Sequence, residues 1–311
     1  MPIVEVRVSF DLASLSKVMA TTTMAALLYQ RGLLDLEMPV AAIVPEFAVD
    51  ESGTPDPRRP EVNIRMLLAH CSGLPAHRKL YEQSRSAEEL VALAAKTPLV
   101  NDPEMHVEYS DIGFIVLGEI LKRLSDENLD TFCQREVFGP LGMARTGFNP
   151  LPEQRSTIPP TVDDQTFRHR VIQGEVNDEN ASAMGGVAGH AGIFAPAEEV
   201  AIFAEAMLNG GAPILRPEIL GIFTHRETLP PGTSRALGWD TPSSPSQSGT
   251  LFSATSFGHL GYTGTSLWID PERRTSITLL TNRTWPDGRN KAIQQVRPLF
   301  HDAVMKALIR P

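Results

Sequence analysis

Apolar positions recur at helical spacing through the middle of this chain and alternate like strands toward its end. Val18, Met24, Leu27 and Leu28 mark the inward stripe of a helix that starts at Ser14 and stops near Gly32. The same spacing predicts helices over 64–68, 87–95, 112–124, 129–137, 197–208 and 217–224. Gly73 and Pro75, Pro98, and Gly210-Gly211 supply stops. Two runs, 264–269 and 275–281, are alternating or β-branched and read as strands, with 236–240 a segment before them. Ile293, Val296, Phe300 and Val304 then define a closing helix over 290–308. At the other end, Ile3, Val4, Val6 and Val8 predict a short leading strand. Residues 53–60 form a Pro/Gly-rich loop, and the proline-bearing stretch 149–164 reads as a long surface crossing.

The first helix carries the most informative chemistry. Ser14 and Lys17 stand three residues apart and share a helix face. A serine hydroxyl is a poor nucleophile until a neighbouring base takes its proton. An amine at a helix N-terminus, partly buried, has its charged form disfavoured and can accept that proton. The spacing alone is a weak signal, because serine is also a favoured N-cap. Two more segments strengthen it. Tyr109-Ser110-Asp111 opens another helix, and Gly258-His259-Leu260-Gly261-Tyr262-Thr263-Gly264 leads into a strand.

This triple resembles the serine β-lactamase and penicillin-binding-protein superfamily, in which S-x-x-K, Tyr/Ser-x-Asn and Lys/His-x-Gly line one cleft. The likeness extends to 67–75 (LLAHCSGLP), 137–143 (VFGPLGM), 185–194 (GGVAGHAGIF) and Gly238-Trp239, in order, and covers about residues 8 to 308. It is closest to the class C-like branch, with its family VIII carboxylesterases, β-lactamases and D-amino-acid peptidases. The resemblance implies an α+β fold, an antiparallel sheet flanked by helices plus an all-α region. Residues 1–13 and 231–311 would form the α/β region. Residues 14–230 would form the mainly helical one. Only thirteen residues precede Ser14, so the family's usual N-terminal strands are expected to be missing. An open sheet flank would then be covered by residues 2–8 or by a second copy of the chain.

By the same resemblance Ser14 is the acylated nucleophile, and Lys17 with Tyr109 moves its proton. Asp111 and His259 replace the usual asparagine and lysine. Gly261 lets the strand backbone approach substrate, and the N–H groups of Ser14 and Tyr262 form the oxyanion hole. Plainer readings stand beside these. Tyr109 fits a core tyrosine, Asp111 a helix cap, and His259 a satisfied buried histidine. His70 and His190 read as turn residues. Asp178-Glu179-Asn180 reads as a solvated loop, with a place at the cleft border as the alternative. His70, Cys71 and His77 lack a fourth ligand at a recognised metal spacing. No metal or organic cofactor is implied.

Charge narrows the substrate. A histidine for lysine and an aspartate for asparagine make the cleft less positive, favouring neutral esters over anionic penicillins, unless Arg283 or Arg289 restores the charge. The expected function is a carboxylesterase on short-chain esters. A D-amino-acid peptidase or weak β-lactamase is the alternative within the class, and a non-catalytic penicillin-binding sensor the alternative outside it. The expected partners are a small ester or amide substrate and a second copy of the chain.

Bulk properties fit a globular enzyme: 311 residues, 42% hydrophobic and 21% charged. A formal net charge of −9 argues against nucleic acid as a partner. Cys71 and Cys133 make no disulfide framework and read as buried thiols. No apolar run reaches the length of a membrane span. Residues 1–7 lack a basic and an apolar signal region, so a cytoplasmic location is expected.

Overall fold

In a computed structural model, residues 8–309 are described. The expected leading strand over Ile3, Val4 and Val6 therefore lies outside the described residues. The first strand described, β1, is Ser9–Asp11. It leads through Ala13, whose φ of 48° turns the chain sharply, into helix α1. The first part of α1, Lys17–Thr22, has wide π-type turns, and Thr23–Gln30 continues it as an α-helix. One inward stripe was expected there. Instead every residue of Leu15–Leu28 is buried, so α1 runs through the centre of the molecule. Gly32, at φ 71°, follows its end.

Helices build the wall beside and beyond α1. They include α2 (Ile64–Leu68), α3 (Ala87–Lys96), α4 (Asp111–Ser125) and α5 (Leu129–Cys133). Ser110 caps α4 by accepting the Gly113 N–H at 2.9 Å. Ile112, Phe114–Leu117, Ile120 and Leu121 bury the α4 face that packs on α1 and α2. Gly118 of α4 meets Gly189 backbone to backbone. A Cβ on Gly118 would lie 3.2 Å from the Gly189 nitrogen. That close approach brings residues 189–190 against α1, where the Gly189 carbonyl accepts the Thr21 hydroxyl at 2.6 Å.

The strands make antiparallel sheets. β1 pairs with β5 (Ile193–Pro196), Phe10 opposite Ala195, and β5 pairs in turn with β2 (Gly147–Phe148). β3 (Val162–Asp164) and β4 (Arg170–Ile172) form a hairpin, so the 149–164 crossing ends in a strand. Helix α6 (Glu179–Ala183) lies between β4 and β5. Helices α7 (Ala197–Leu208) and α8 (Pro217–Thr224) follow. The later sheet runs β6 (Phe257–Leu260), β7 (Ser266–Asp270), β8 (Thr275–Leu279), with α7 packed on β7 and β8. Residues 236–240 form no strand, but Asp240 and Gly258 exchange backbone hydrogen bonds at 2.8 and 2.9 Å.

Helix α9 (Ile293–Ile309) closes the fold. Its buried positions are Ile293, Arg297, His301 and Met305, while Val296 is 47% exposed. Of the expected stripe, Ile293 is buried and Phe300 and Val304 pack on the cluster of Phe252, Trp268, Ile277 and Met305, so only Val296 departs, and polar Arg297 and His301 share the inner face. Arg297 donates to the Gly261 and Thr265 carbonyls at 2.5 and 2.9 Å, and His301 Nε2 lies 3.1 Å from Ser266 Oγ. One apolar core runs from Leu12 and α1 through α4 to Leu267 and Ile269. Cys71 and Cys133 are buried and free, and burial pushes the Cys71 thiol up to about 12.

Candidate active site

Ser14 is held from both sides. Asp11 Oδ1 accepts the Ala13 N–H at 2.8 Å, and its Oδ2 accepts the Asn177 N–H at 2.6 Å. From the β6–β7 turn, Thr263 and Thr265 donate hydroxyls to the Asp11 and Leu12 carbonyls at 2.8 and 3.0 Å. Gly261 was expected to make room for substrate. A Cβ there would instead strike Thr265 Oγ1 and the Leu12 carbonyl, so the glycine fits this turn against the Ser14 segment. The segments carrying S-x-x-K and H-x-G are thus one unit.

Lys17 is completely buried, and its Nζ donates to Ser14 Oγ at 3.0 Å, Asp111 Oδ1 at 2.6 Å and the His190 carbonyl at 3.0 Å. An ammonium has three N–H donors, and all are used. Burial alone would lower the pKa of Lys17, but the Asp111 carboxylate and Tyr109 outweigh it and hold it above the ordinary value. The expected resting base is therefore an ammonium. Asp111 is no cap, since Ser110 has that role; its carboxylate pairs with Lys17.

Tyr109 lies beside this group, with Lys17 Nζ 4.9 Å from its ring centroid. Burial holds its phenol above the ordinary value, against the pull of Lys17. Its other neighbours are His70, His259 and Arg235. The ring centroids lie 4.6 Å from His70 and 5.8 Å from His259, and the Arg235 guanidinium carbon is 5.4 Å away. His70 is a turn residue, as expected, at φ 58°. Its Nδ1 accepts the Ser110 N–H at 3.0 Å. His259, on β6, is 3% exposed. Burial, with the Lys17 and Arg235 cations, drives its pKa well below the usual imidazole range.

These residues line a cleft of about 810 Å³ with Ser14, Asp111, Gly261 and Tyr262. Asp178 also lines it and caps α6 by accepting the Ala181 N–H at 2.8 Å; it lies 2.7 Å from His190 Nε2. Asp178 and Glu179 border the cleft, and the expected solvated loop is instead the start of α6, with Asn180 buried; His190 gives the site its carbonyl. Neither Ser14 N–H nor Tyr262 N–H has an acceptor among the described residues. Tyr262 is 59% exposed under the Arg283 guanidinium, 4.1 Å from its centroid.

Sequence reasoning missed Arg235 and Asp11. Arg235 stands alone in a loop, three residues before Gly238-Trp239, and has no pattern of its own. Asp11, three before Ser14, could have been sought as the partner of a strained turn. His77, Asp111 and Asp178 bring ligand atoms within 4.8 Å of one another, yet Asp111 is paired with Lys17 and Asp178 with His190.

Known proteins resemble the chain over most of its length. The chain is 33% identical over 306 residues to an N-acetylmuramyl-L-alanine amidase of Bacillus subtilis, covering 89% of this chain and 68% of that one. It is 31% identical to a putative D-alanyl-D-alanine carboxypeptidase of Salmonella agona, covering 88% and 69%. Among solved structures, simvastatin synthase (LovD) of Aspergillus terreus superposes with a TM-score of 0.75 at 18% identity, covering 100% and 87%. The hydrolase EstCE1 superposes at 0.70 and 21% identity, covering 94% and 85%. A family model described as Beta-lactamase matches residues 5–298, and the chain belongs to that family of serine hydrolases.

Proposed function

We propose that the protein moves the acyl group of a small ester or amide onto Ser14 Oγ and then onto water, with short-chain carboxylesters as readily cleaved substrates. The supporting observation is Lys17 Nζ at 3.0 Å from Ser14 Oγ in the cleft, locked by Asp111. Because Lys17 rests as an ammonium, it takes the Ser14 proton only while yielding one to Asp111 Oδ1. The three groups therefore titrate as a unit. Tyr109 protonates the leaving atom and is refilled from Lys17, so the Ser14 proton ends on the leaving group. The free N–H groups of Ser14 and Tyr262 receive the oxyanion.

Peptide-like amides are the second reading, favoured by the amidase and carboxypeptidase relatives. The argument for neutral substrates also weakens, because Arg235, Arg283, Lys291 and Arg297 line the cleft. Association into a homo-oligomer belongs to the same reading, as β8 is an edge strand among the described residues. Light scattering tests that association.

A panel of p-nitrophenyl esters, nitrocefin and D-alanyl peptides tests the activity. A phosphonate ester should give one adduct, on Ser14. Labelling at Ser16 or Ser110 would overturn the assignment.

A further inference from the structure

Three side chains from separate segments, His77, Asp111 and Asp178, each bring one ligand atom within 4.8 Å of the others. All three line the cleft that holds Ser14. The two carboxylates are anchored without being used up. Asp111 gives Oδ1 to Lys17, and Asp178 gives Oδ1 to the Ala181 N–H and to His190. Neither Oδ2 has a hydrogen-bond partner among the described residues. His77 is exposed. The surroundings favour a cation. Asp11 and Glu179 line the same cleft, and burial together with the Asp178 charge raises the carboxyls of both. A second observation points the same way. His190, which stands behind Asp178, is 1% exposed and lines the cleft, yet its Nδ1 has no partner among the described residues. Buried polar atoms are nearly always paired, so a further polar group is expected here. The imidazole of His77 narrows the choice of cation. Calcium and magnesium take oxygen ligands. Zinc takes histidine nitrogen together with carboxylate oxygen, and with three protein ligands it keeps a water in the fourth position.

We propose that His77, Asp111 and Asp178 form an inhibitory site for a zinc-type divalent cation, which shuts off Ser14 when it binds. The ring nitrogen of His77 and the two free carboxylate oxygens are the protein ligands, and water completes the set. Asp111 keeps its Oδ1 bond to Lys17 while Oδ2 holds the ion. Binding stands on this geometry alone. Inhibition rests on the acyl-enzyme reading, in which Lys17 takes the Ser14 proton only while yielding one to Asp111. A carboxylate shared with a dication is a much weaker base, because the ion is then the largest local charge. Asp111 no longer takes the proton, Lys17 stays an ammonium, and Ser14 keeps its hydrogen. No covalent bond is made or broken at the ion, so its removal restores the nucleophile.

Equilibrium dialysis of the full chain against Zn²⁺ tests the site, and the rate of phosphonate labelling at Ser14 tests the shut-off. Dialysis should show saturable zinc binding that Mg²⁺ at equal concentration does not displace. His77→Ala and Asp178→Asn should each weaken it at least about tenfold, no less than the loss of an outer partner of a metal site. Zn²⁺ should slow Ser14 labelling at least about tenfold in the unmodified protein, where zinc removes Asp111 from the proton relay. A chelator should restore the rate. His77→Ala, which has no part in that relay, should be labelled at the unmodified rate with or without Zn²⁺. Equal zinc affinity in the unmodified protein and both variants would overturn the site, as would no binding at all. Zinc binding that leaves labelling unslowed would overturn the shut-off. A Ser14 that is never labelled, even without metal, would instead remove the acyl-enzyme reading, and dialysis would still decide the site.

Discussion

The helical wall of the cleft and the wall built on β6 treat their polar atoms differently. On the helical wall Lys17 spends every N–H, and Ser110 Oγ, Asp178 and His70 Nδ1 have partners, so the groups that hold the nucleophile are paired even though the Ser14 N–H, Tyr109 Oη and His70 Nε2 are not. On the other wall His259 Nε2 has none, and the neighbouring Tyr262 N–H has none. A saturated network is rigid and costs nothing to organise at the moment of reaction. An unsaturated one is completed by what binds. The nucleophile is thus prepared in advance, while the opposite wall carries the choice of substrate.

The sharpest way to break this comparison is to remove what the helical wall prepares. Ser14→Ala should leave the fold intact and lower ester hydrolysis by at least roughly a thousandfold. Circular dichroism beside a steady-state assay checks both halves. A variant that keeps most of its turnover would place the nucleophile elsewhere.

Asp111→Asn attacks the saturation itself. It leaves the Lys17 ammonium buried without its counter-charge, which should cost about 3 kcal/mol of stability. The pH response should change sign. In the unmodified protein the Lys17 pKa is raised above its ordinary 10.5. Its stabilisation is therefore present below that pH and is lost only as pH rises through the raised value. Without the carboxylate, burial prevails and the folded pKa drops below 10.5. The variant should then gain stability as pH rises toward 10. Urea midpoints at pH 7 and 9.5 decide it, and parallel trends in the two proteins would mean that Asp111 does not hold the lysine charged.

Tyr109→Phe touches the junction of the two walls. It removes only the phenolic oxygen and should lower kcat by roughly a hundredfold, the range of general acid–base catalysis. KM should move much less. A change confined to KM would make Tyr109 a packing residue.

The helical wall was also the more legible in the sequence. S-x-x-K is a local spacing that helix geometry turns directly into neighbours, as Ser14 and Lys17 are, while Y-x-D is legible as a short motif across the Ser110 cap of α4. The α4 stripe and the β7 and β8 runs were legible for the same reason. What escaped depends on contacts distant in sequence. The burial of α1 on all sides follows from being wrapped by α4, α5 and α8, which no single stripe encodes. The charge state of Lys17 is set by Asp111, 94 residues away. Arg235 reaches Tyr109 from a loop without periodicity. The buried Arg297 of α9 escaped because the partners that hold it, the Gly261 and Thr265 carbonyls, lie more than thirty residues away.

Asp11 offers the smallest effect and the finest test of how the two walls are joined. It is 2% exposed, and burial lifts its carboxyl to about 6, against two backbone N–H groups that favour the charge. A carboxyl whose folded pKa exceeds its ordinary 3.8 retains a proton that the unfolded chain has lost. Stability should therefore fall as pH rises from about 4 to about 6, by on the order of 3 kcal/mol, and be flat in this group above that. Asp11→Asn cannot titrate. Its Oδ1 can still accept the Ala13 N–H, but an amide NH2 would face the Asn177 N–H, so the variant should be weaker at low pH. The gap between the two proteins should then narrow between pH 4 and 6. Urea midpoints at pH 4, 5, 6 and 7 measure this, and a gap that widens with pH would show that Asp11 binds the Ala13 turn to the 177 loop as an ordinary carboxylate.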